Sequence, residues 1–161
     1  MRTGFRASDR TMTDYVIRGM SKGDTKQLAE LDKICFAVPW SEQAFVDETE
    51  NELANYIVAV DNDAVIGYIG YWKVIDEGHI TNVAVNPEYR RKGIASSMLS
   101  KIIKAAYEDK LYMLTLEVRK SNTAAQKLYE KFGFVPLGER KNYYHLPTED
   151  AVIMTLMLGD N

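Results

Sequence analysis

Directly before Gly93, where a helical pattern begins, the sequence carries three consecutive cations, Arg90, Arg91 and Lys92. The preceding strand pattern stops at Pro87, so these cations lie beside the free backbone N–H groups of a helix N-terminus. The helix dipole favours an anion there, and a glycine lets the backbone approach a ligand oxygen closely. The pattern predicts a phosphate or pyrophosphate site, with a solvated charge run as the alternative. ATP and NAD are poorly supported, because the spacing matches neither a P-loop nor a dinucleotide fingerprint.

A carboxylate and a phenol further along the chain could transfer protons. Glu117 lies near the end of the strand pattern YMLTLEV, and Tyr129 lies on the next helix pattern, NTAAQKLYEKFGF. A carboxylate can accept a proton, and a phenol with a pKa near about 10 can donate one without ionising beforehand. Each residue also has a simpler explanation, since Glu117 could be a surface acid and Tyr129 could pack in the core.

The chain must position these groups with alternating strands and helices. Hydrophobic periodicity predicts the order β-α-α-β-β-β-α-β-α-β-β, including a hairpin around Asp61, Asn62 and Asp63. This order implies an α/β protein with a mixed sheet that is covered by helices on both faces. The last two strands are predicted in FVPLGERK and AVIMTLML.

Capping residues and apolar stripes delimit the predicted helices. The first helix carries Leu28, Leu31 and Ile34 on its apolar face, and Ser41 is the predicted N-cap of the second. A long amphipathic helix begins at Gly93, and the last helix is capped by Asn122 and closed by a glycine.

Composition limits the classes of protein that this chain can represent. The 161 residues, with 46% hydrophobic and 27% charged residues, suit one folded domain at residues 14–161, after a polar N-terminal lead at residues 1–13 that we expect to be disordered. A net charge of −3 argues against a general nucleic-acid binder. The single cysteine, Cys35, cannot form an internal disulfide, and no apolar run has the length of a membrane span. We therefore expect a cytoplasmic protein.

The segment NVAVNPEYRRKGIASSMLSKII resembles the cofactor-binding segment of the GNAT N-acetyltransferases, whose RxxGxA spacing is met by Arg90, Gly93 and Ala95. The resemblance implies the GNAT fold, a mostly antiparallel sheet in which the fourth and fifth strands splay apart to admit acetyl-CoA. It also implies two sets of cofactor contacts. The pantetheine arm would follow the backbone of Val83, Ala84 and Val85, and the pyrophosphate would be held by Arg91, Lys92, Gly93, Ile94, Ala95 and Ser96.

A wider match is to the RimI-type ribosomal-protein alanine N-acetyltransferases. It rests on VPWS, the DE before the fourth strand, LEVR.SN, A..LYE..GF, NYY and EDA.IM, and covers most of the chain from Cys35 onward. The resemblance implies acetyl transfer to the N-terminal alanine of a small-subunit ribosomal protein, with Glu117 as the base, Tyr129 as the acid and Asn122 as a further cofactor contact. Glu77, which leads the fourth strand, and His79 are alternative bases, and a reaction without a dedicated base is also open.

The acceptor site implied by this resemblance is a slot between two loops. One loop contains Val38, Pro39 and Trp40, and the other contains Tyr143 and Tyr144 between the last two strands. Flat aromatic walls with hydroxyl groups suit a peptide terminus, although the two tyrosines could instead pack inside a hairpin. Alternatives are the same chemistry on another protein N-terminus, a lysine or a small amine, and an acyl-CoA-binding module without catalysis. We expect no bound metal, because no Cys/His/Asp cluster has the spacing of metal ligands. We also expect a monomer.

Overall fold

The computed structural model describes residues 14–159, so the N-terminal lead expected at residues 1–13 lies outside the described residues. The described elements follow the predicted order. The strands are β1 (Tyr15–Gly19), β2 (Ala54–Asp61), β3 (Ala64–Val74), β4 (Glu77–Val85), β5 (Met113–Arg119), β6 (Val135–Tyr144) and β7 (Glu149–Met157). The helices are α1 (Thr25–Cys35), α2 (Glu42–Thr49), α3 (Ile94–Glu108) and α4 (Thr123–Lys131).

The strands form one sheet in the spatial order β1-β2-β3-β4-β5-β7-β6. Neighbouring strands are antiparallel except for β4 and β5, which are parallel. The predicted hairpin joins β2 to β3, and both Asn62 and Asp63 take a positive φ, 47° and 70°. Asn and Asp tolerate that conformation, which a tight hairpin turn requires. The mixed sheet and the hairpin are therefore confirmed.

Helices cover both faces of the sheet, and each face has its own hydrophobic core. One core lies under α3 and α4, and the other packs α1 and α2 against the opposite face of β2, β3 and β4. Leu28 and Leu31 of α1 are buried as predicted, but Ile34 is 60% exposed, so its assignment to the apolar face is wrong. The helix buries Leu28, Leu31 and the carboxylate of Asp32, which leaves Ile34 on its solvent side.

The fourth and fifth strands diverge after a short paired section. They pair only at Glu77 with Met113, Gly78 with Leu114 and His79 with Thr115. Beyond that point residues 80–85 of β4 form no pairs with residues 116–119 of β5. We call the space between these two segments the β4–β5 gap. The predicted splay is confirmed.

A bulge in β4 lies where the gap begins. The register between β3 and β4 shifts so that Gly70 pairs with Asn82 while Tyr71 pairs with Ile80, which leaves Thr81 as an extra residue. The Tyr56 hydroxyl and the Thr81 Oγ1 are 2.6 Å apart, which fixes the bulged residue to β2. Because a bulge bends its strand, it helps to turn β4 away from β5.

Candidate active site

Glu117 lies in the part of β5 that borders the β4–β5 gap. Alternation along the strand buries Leu114, Leu116 and Val118 in the core beneath α3 and α4. The side chains of Thr115, Glu117 and Arg119 therefore lie on the other face of the sheet. That is the face on which α1 and α2 pack.

Two side chains bind the Glu117 carboxylate. Its Oε1 lies 2.7 Å from His79 Nε2, and its Oε2 accepts a hydrogen bond from Arg140 Nε at 3.0 Å. The hydrogen bond with His79 is the largest cause of a lowered Glu117 pKa, and it outweighs the burial that would raise the pKa. Glu117 is therefore an ionised carboxylate at neutral pH, although only 8% of its side chain is exposed.

Arg140 is a site residue that the sequence analysis did not single out. It lies on β6 opposite Ala151 of β7, and Glu117 of β5 pairs with Ile153 on the other edge of β7. The guanidinium thus reaches across β7, the strand that lies between β5 and β6, to the carboxylate. The available signal was the position of Arg140 just before the NYY motif, but its target depends on the sheet order.

Tyr129 stands in an apolar environment on α4. It is 7% exposed, its ring lies 5.8 Å from the ring of Phe134, and its hydroxyl hydrogen-bonds to no residue within 14–159. Burial raises the pKa of Tyr129 to about 12. The phenol therefore keeps its proton throughout the physiological pH range. The two candidate groups, Glu117 and Tyr129, have opposite protonation states at neutral pH.

Tyr143 and Tyr144 are the last residues of β6, so their assignment to a loop is wrong. The strand extends past the predicted end because Tyr144 pairs with Glu149 of β7. Their rings are perpendicular with centroids 5.0 Å apart. Burial raises the pKa of both hydroxyls, and the nearby Glu117 charge adds to that rise. The two tyrosines therefore lie close to the carboxylate of Glu117.

Arg119 fixes the turn that follows these tyrosines. Its guanidinium lies 4.5 Å from the centroid of the Tyr144 ring, and its two terminal nitrogens donate to the backbone oxygens of His145 and Pro147, each at 3.0 Å. It also forms an ion pair with Glu149 at 3.1 Å. The β6–β7 turn is thereby held against the end of β5, near Glu117.

The loop at Val38, Pro39 and Trp40 is anchored by a buried carboxylate. Asp32 Oδ2 accepts the Trp40 backbone N–H at 2.8 Å, and Asp32 Oδ1 accepts the Tyr68 hydroxyl at 2.6 Å. Trp40 packs against Phe45 and Tyr56, whereas Val38 and Pro39 are exposed. Asp32 was not predicted, although an acid beside the buried Leu31 was a visible signal.

The predicted anion site has the expected backbone geometry. Gly93 is the N-cap of α3 with φ of 80°, and Arg91 also has a positive φ, 64°. The N–H groups of residues 93–96 donate to no group of the described residues, and the side chains of Arg91 and Lys92 form no ion pair there. Arg90 differs, because its Nε donates to the Val85 oxygen at 3.2 Å.

The edge of β4 turns backbone groups toward the gap, where the Val85 oxygen already accepts from Arg90 Nε and Cys35 Sγ. The Asn86 N–H donates to the Ile66 oxygen at 2.7 Å, so by alternation the backbone groups of Ala84 face β3 while those of Val83 and Val85 face the gap. Ala84 therefore differs from its two neighbours.

On the other side of the gap, the Asn122 Oδ1 accepts the Ala125 N–H at 3.1 Å, which confirms Asn122 as the helix N-cap.

The alternative bases occupy different places. Glu77 lies at the closed end of the β4–β5 pair, where its Oε2 accepts the Tyr112 hydroxyl at 3.0 Å. His79 lies at the start of the gap in contact with Glu117. Among the residues that the structure describes, no group of three or more His, Cys, Asp or Glu side chains could hold a metal ion, and no helix is long and apolar enough to cross a membrane.

The sequence that forms this fold matches a known family of enzymes. The model of the acetyltransferase (GNAT) family matches residues 25–134, and the chain therefore belongs to that family. It is an acetyltransferase of a family that uses acetyl-CoA.

Its relatives narrow the comparison further. A Bacillus subtilis protein provisionally named ribosomal protein bS18-alanine N-acetyltransferase is 38% identical over 149 residues, which cover 92% of this chain and 99% of that protein. The ribosomal protein bS18-alanine N-acetyltransferase of Haemophilus ducreyi is 34% identical, over 89% of this chain and 100% of that protein. The crystal structure of the ribosomal-protein-S18-alanine N-acetyltransferase from Escherichia coli superposes with a TM-score of 0.85 at 31% identity, over 91% of this chain and 96% of that one.

Proposed function

We propose that this protein transfers the acetyl group of acetyl-CoA to the N-terminal alanine of the small-subunit ribosomal protein bS18, in the cytoplasm. The observation that carries the proposal is an ionised carboxylate, Glu117, on β5 together with a buried, protonated phenol, Tyr129, on the helix that follows this strand. The acceptor is inferred from relatives that are named for this activity. The chain matches these relatives over nearly their full length. A module that only bound acyl-CoA would have no need of the two groups together.

The cofactor is proposed to enter the β4–β5 gap. Its pantetheine arm would pair with the backbone of β4 at Val83 and Val85, and Ala84 would contribute packing, because its backbone groups face β3. The pyrophosphate would bind the free N–H groups at the start of α3, where the dipole and the nearby cations favour an anion. The proposed contacts there are Arg91, Lys92, Gly93, Ile94, Ala95 and Ser96, with Asn122 and Tyr129 on the other side of the gap.

The proposed reaction is direct attack of the α-amine on the thioester. The acceptor's ammonium group, with a pKa near about 8, loses a proton to Glu117 directly or through a water molecule. The free nitrogen bonds to the thioester carbon while the C=O π pair moves onto the oxygen, and the nitrogen then gives up its second proton to solvent. The C=O bond re-forms as the C–S bond breaks, the leaving thiolate takes the proton of the Tyr129 hydroxyl, and solvent reprotonates the Tyr129 phenolate. Because the Glu117 pKa is lowered, much of the ease of deprotonation must come from the amine's own modest pKa.

Binding and orientation supply the rest of the rate. Holding the amine against the thioester in one site removes the entropic cost of their encounter. Backbone N–H groups of β4 that face the gap could stabilise the oxyanion of the tetrahedral intermediate. The acceptor peptide would lie between two borders, one formed by Val38, Pro39 and Trp40 and the other by Tyr143 and Tyr144.

Mass spectrometry of peptides incubated with the protein and acetyl-CoA tests the proposal. The substrates are a peptide with the N-terminal sequence of bS18, the same peptide with a blocked N-terminus and an internal lysine, and spermidine. Acetylation of the free alanine alone is the expected result. Transfer only to lysine or spermidine would contradict the proposed acceptor and leave the family assignment in place.

A further inference from the structure

The Glu117 carboxylate has two donors that differ in chemical kind. Arg140 is positively charged at every accessible pH, because a guanidinium does not deprotonate in proteins. The other donor, His79, carries an imidazole, the kind of group that can change its charge between about pH 5 and 8. One carboxylate is thus bound by a fixed charge and by a switchable one. From the sequence alone, His79 is an alternative base and nothing more.

The position of His79 in the sheet makes this contact well defined. His79 pairs with Thr115 at the last paired position of β4 and β5, so its side chain projects at the start of the gap. Its Nε2 lies 2.7 Å from Glu117 Oε1. The His79 side chain is 34% exposed, whereas that of Glu117 is 8% exposed. His79 can therefore exchange protons with solvent more readily than the carboxylate that it contacts.

Few other charged groups face this pair. On β3 the residue opposite His79 is Trp72, whose Nε1 donates to Glu48 of α2. On β5 the opposite residue is the uncharged Thr115. On β6 lie Tyr143 and Tyr144, uncharged at neutral pH, and the Glu117 charge adds to the burial that raises the pKa of both hydroxyls. Arg140 completes the set, and Arg119 of β5 lies against Tyr144.

We propose that His79 is a positioning residue that orients Glu117 and sets, through its own charge, how readily that carboxylate accepts a proton. This inference rests on the proposed function of Glu117 as the base. A neutral His79 with its hydrogen on Nε2 donates to Oε1 and fixes the carboxylate toward the gap. A protonated His79 makes the same hydrogen bond but adds a second positive charge beside Glu117 and weakens it as a base. Acetyl transfer is therefore favoured when His79 is neutral.

The experiment compares the wild type with His79→Gln and His79→Ala. Gln can donate an N–H to Glu117 but does not titrate, and Ala can do neither. The kcat/KM for the alanine peptide is measured for each protein from pH 5.5 to 9. The amine of the peptide titrates identically in all three reactions, so the ratio of each variant to the wild type removes its contribution.

The expected ratio of His79→Gln to wild type rises by about three- to tenfold between pH 8.5 and pH 6, because only the wild type acquires the inhibitory charge. His79→Ala should lose about tenfold at pH 8.5, with Gln recovering most of that loss. A ratio for His79→Gln that does not change with pH would overturn the inference, since a purely structural role would lower the rate equally at every pH.

A second measurement does not depend on activity. The chain has two histidines, so their imidazole NMR signals can be assigned with His79→Gln alone. In Glu117→Gln the imidazole signals of His79 should move at a fixed pH, because the charged partner of its Nε2 is replaced by a neutral one, while His145 serves as the internal reference. Unchanged His79 signals would overturn the inference even if the peptide proved not to be a substrate. If the wild type acetylates no alanine peptide but the His79 signals move, the proposed acceptor fails and the His79–Glu117 coupling stands.

Discussion

Glu117 and Tyr129 are both largely buried, but on opposite faces of the sheet and in opposite surroundings. Glu117 on β5 is 8% exposed in its side chain and is bound by His79 and Arg140. Tyr129 on α4 is 7% exposed and lies among apolar side chains, and its hydroxyl has no hydrogen-bond partner in residues 14–159. Both side chains are mostly buried, but the Glu117 pKa is lowered while the Tyr129 pKa is raised.

The difference follows from which protonation state each group would need. Burial favours the neutral form of any acid. A proton donor works in its neutral form, so Tyr129 needs only an apolar pocket. A proton acceptor works in its ionised form, so Glu117 needs donors that outweigh the effect of burial. The comparison predicts that changes at Tyr129 slow one step of the reaction, whereas changes around Glu117 alter the dependence of the rate on pH.

Replacing Tyr129 with Phe should produce the largest effect. The change removes the proposed proton donor to the thiolate, so kcat should fall by about 10²-fold or more. Folding should be nearly unaffected, because the lost hydroxyl has no hydrogen-bond partner in the described residues. Steady-state kinetics with the alanine peptide, thermal melting and acetyl-CoA titration measure the three quantities. If Tyr129→Phe turned over at the wild-type rate, Tyr129 would not be the acid. The contrast between a proton donor and a proton acceptor would then no longer hold.

Replacing Glu117 with Gln should lower kcat/KM at pH 7 by about 10- to 100-fold, because the amide cannot accept the amine's proton. The loss should shrink as the pH rises past the pKa of the peptide amine, since a larger share of the amine is then already neutral. Glu77→Gln is the matched control, because it changes a carboxylate on the adjacent strand at the closed end of the pair. Equal losses in both variants would show that neither carboxylate is the specific base.

Replacing Arg91 and Lys92 with Ala together tests the helix N-terminus apart from the two chemical groups. The change removes two cations next to the proposed pyrophosphate, so acetyl-CoA binding should weaken by about tenfold or more, while kcat at saturating acetyl-CoA stays near the wild-type value. The control is Lys101→Ala with Lys104→Ala, which removes the same charge from the exposed side of α3. Isothermal titration would contradict the prediction if both double variants bound acetyl-CoA equally well.

The sequence could specify the elements of this site better than its contacts. The order of strands and helices, the splay after β4 and the start of α3 at Gly93 follow from periodicity, capping and family resemblance. Periodicity says nothing about which strands are neighbours across β7, so the contact of Arg140 with Glu117 was not predictable. The extension of β6 through Tyr144 depends on pairing with β7, and the exposure of Ile34 depends on Asp32 facing inward to bind Tyr68. These features are set by tertiary contacts.

Replacing Arg140 with Gln should have the smallest effect and should separate the fixed charge from the switchable one. Arg140 is 55% exposed in its side chain, so solvent screens much of its attraction for Glu117. Its loss should change kcat/KM by no more than about threefold at pH 8. The Glu117 pKa should rise toward its ordinary value, because one of its causes of lowering is gone. The fall of activity on acidification should therefore begin at higher pH than in the wild type.

Lys141→Gln is the matched control for Arg140→Gln, because it removes the same charge from the next residue, whose ammonium lies 3.6 Å from Asp150 and not beside Glu117. Its pH profile should overlay that of the wild type. If Arg140→Gln instead lost as much activity as Glu117→Gln at every pH, the carboxylate would depend on the guanidinium for its position. The contrast between the surroundings of Glu117 and Tyr129 would then be one of geometry, because the donors of Glu117 would hold it in place more than they hold it ionised.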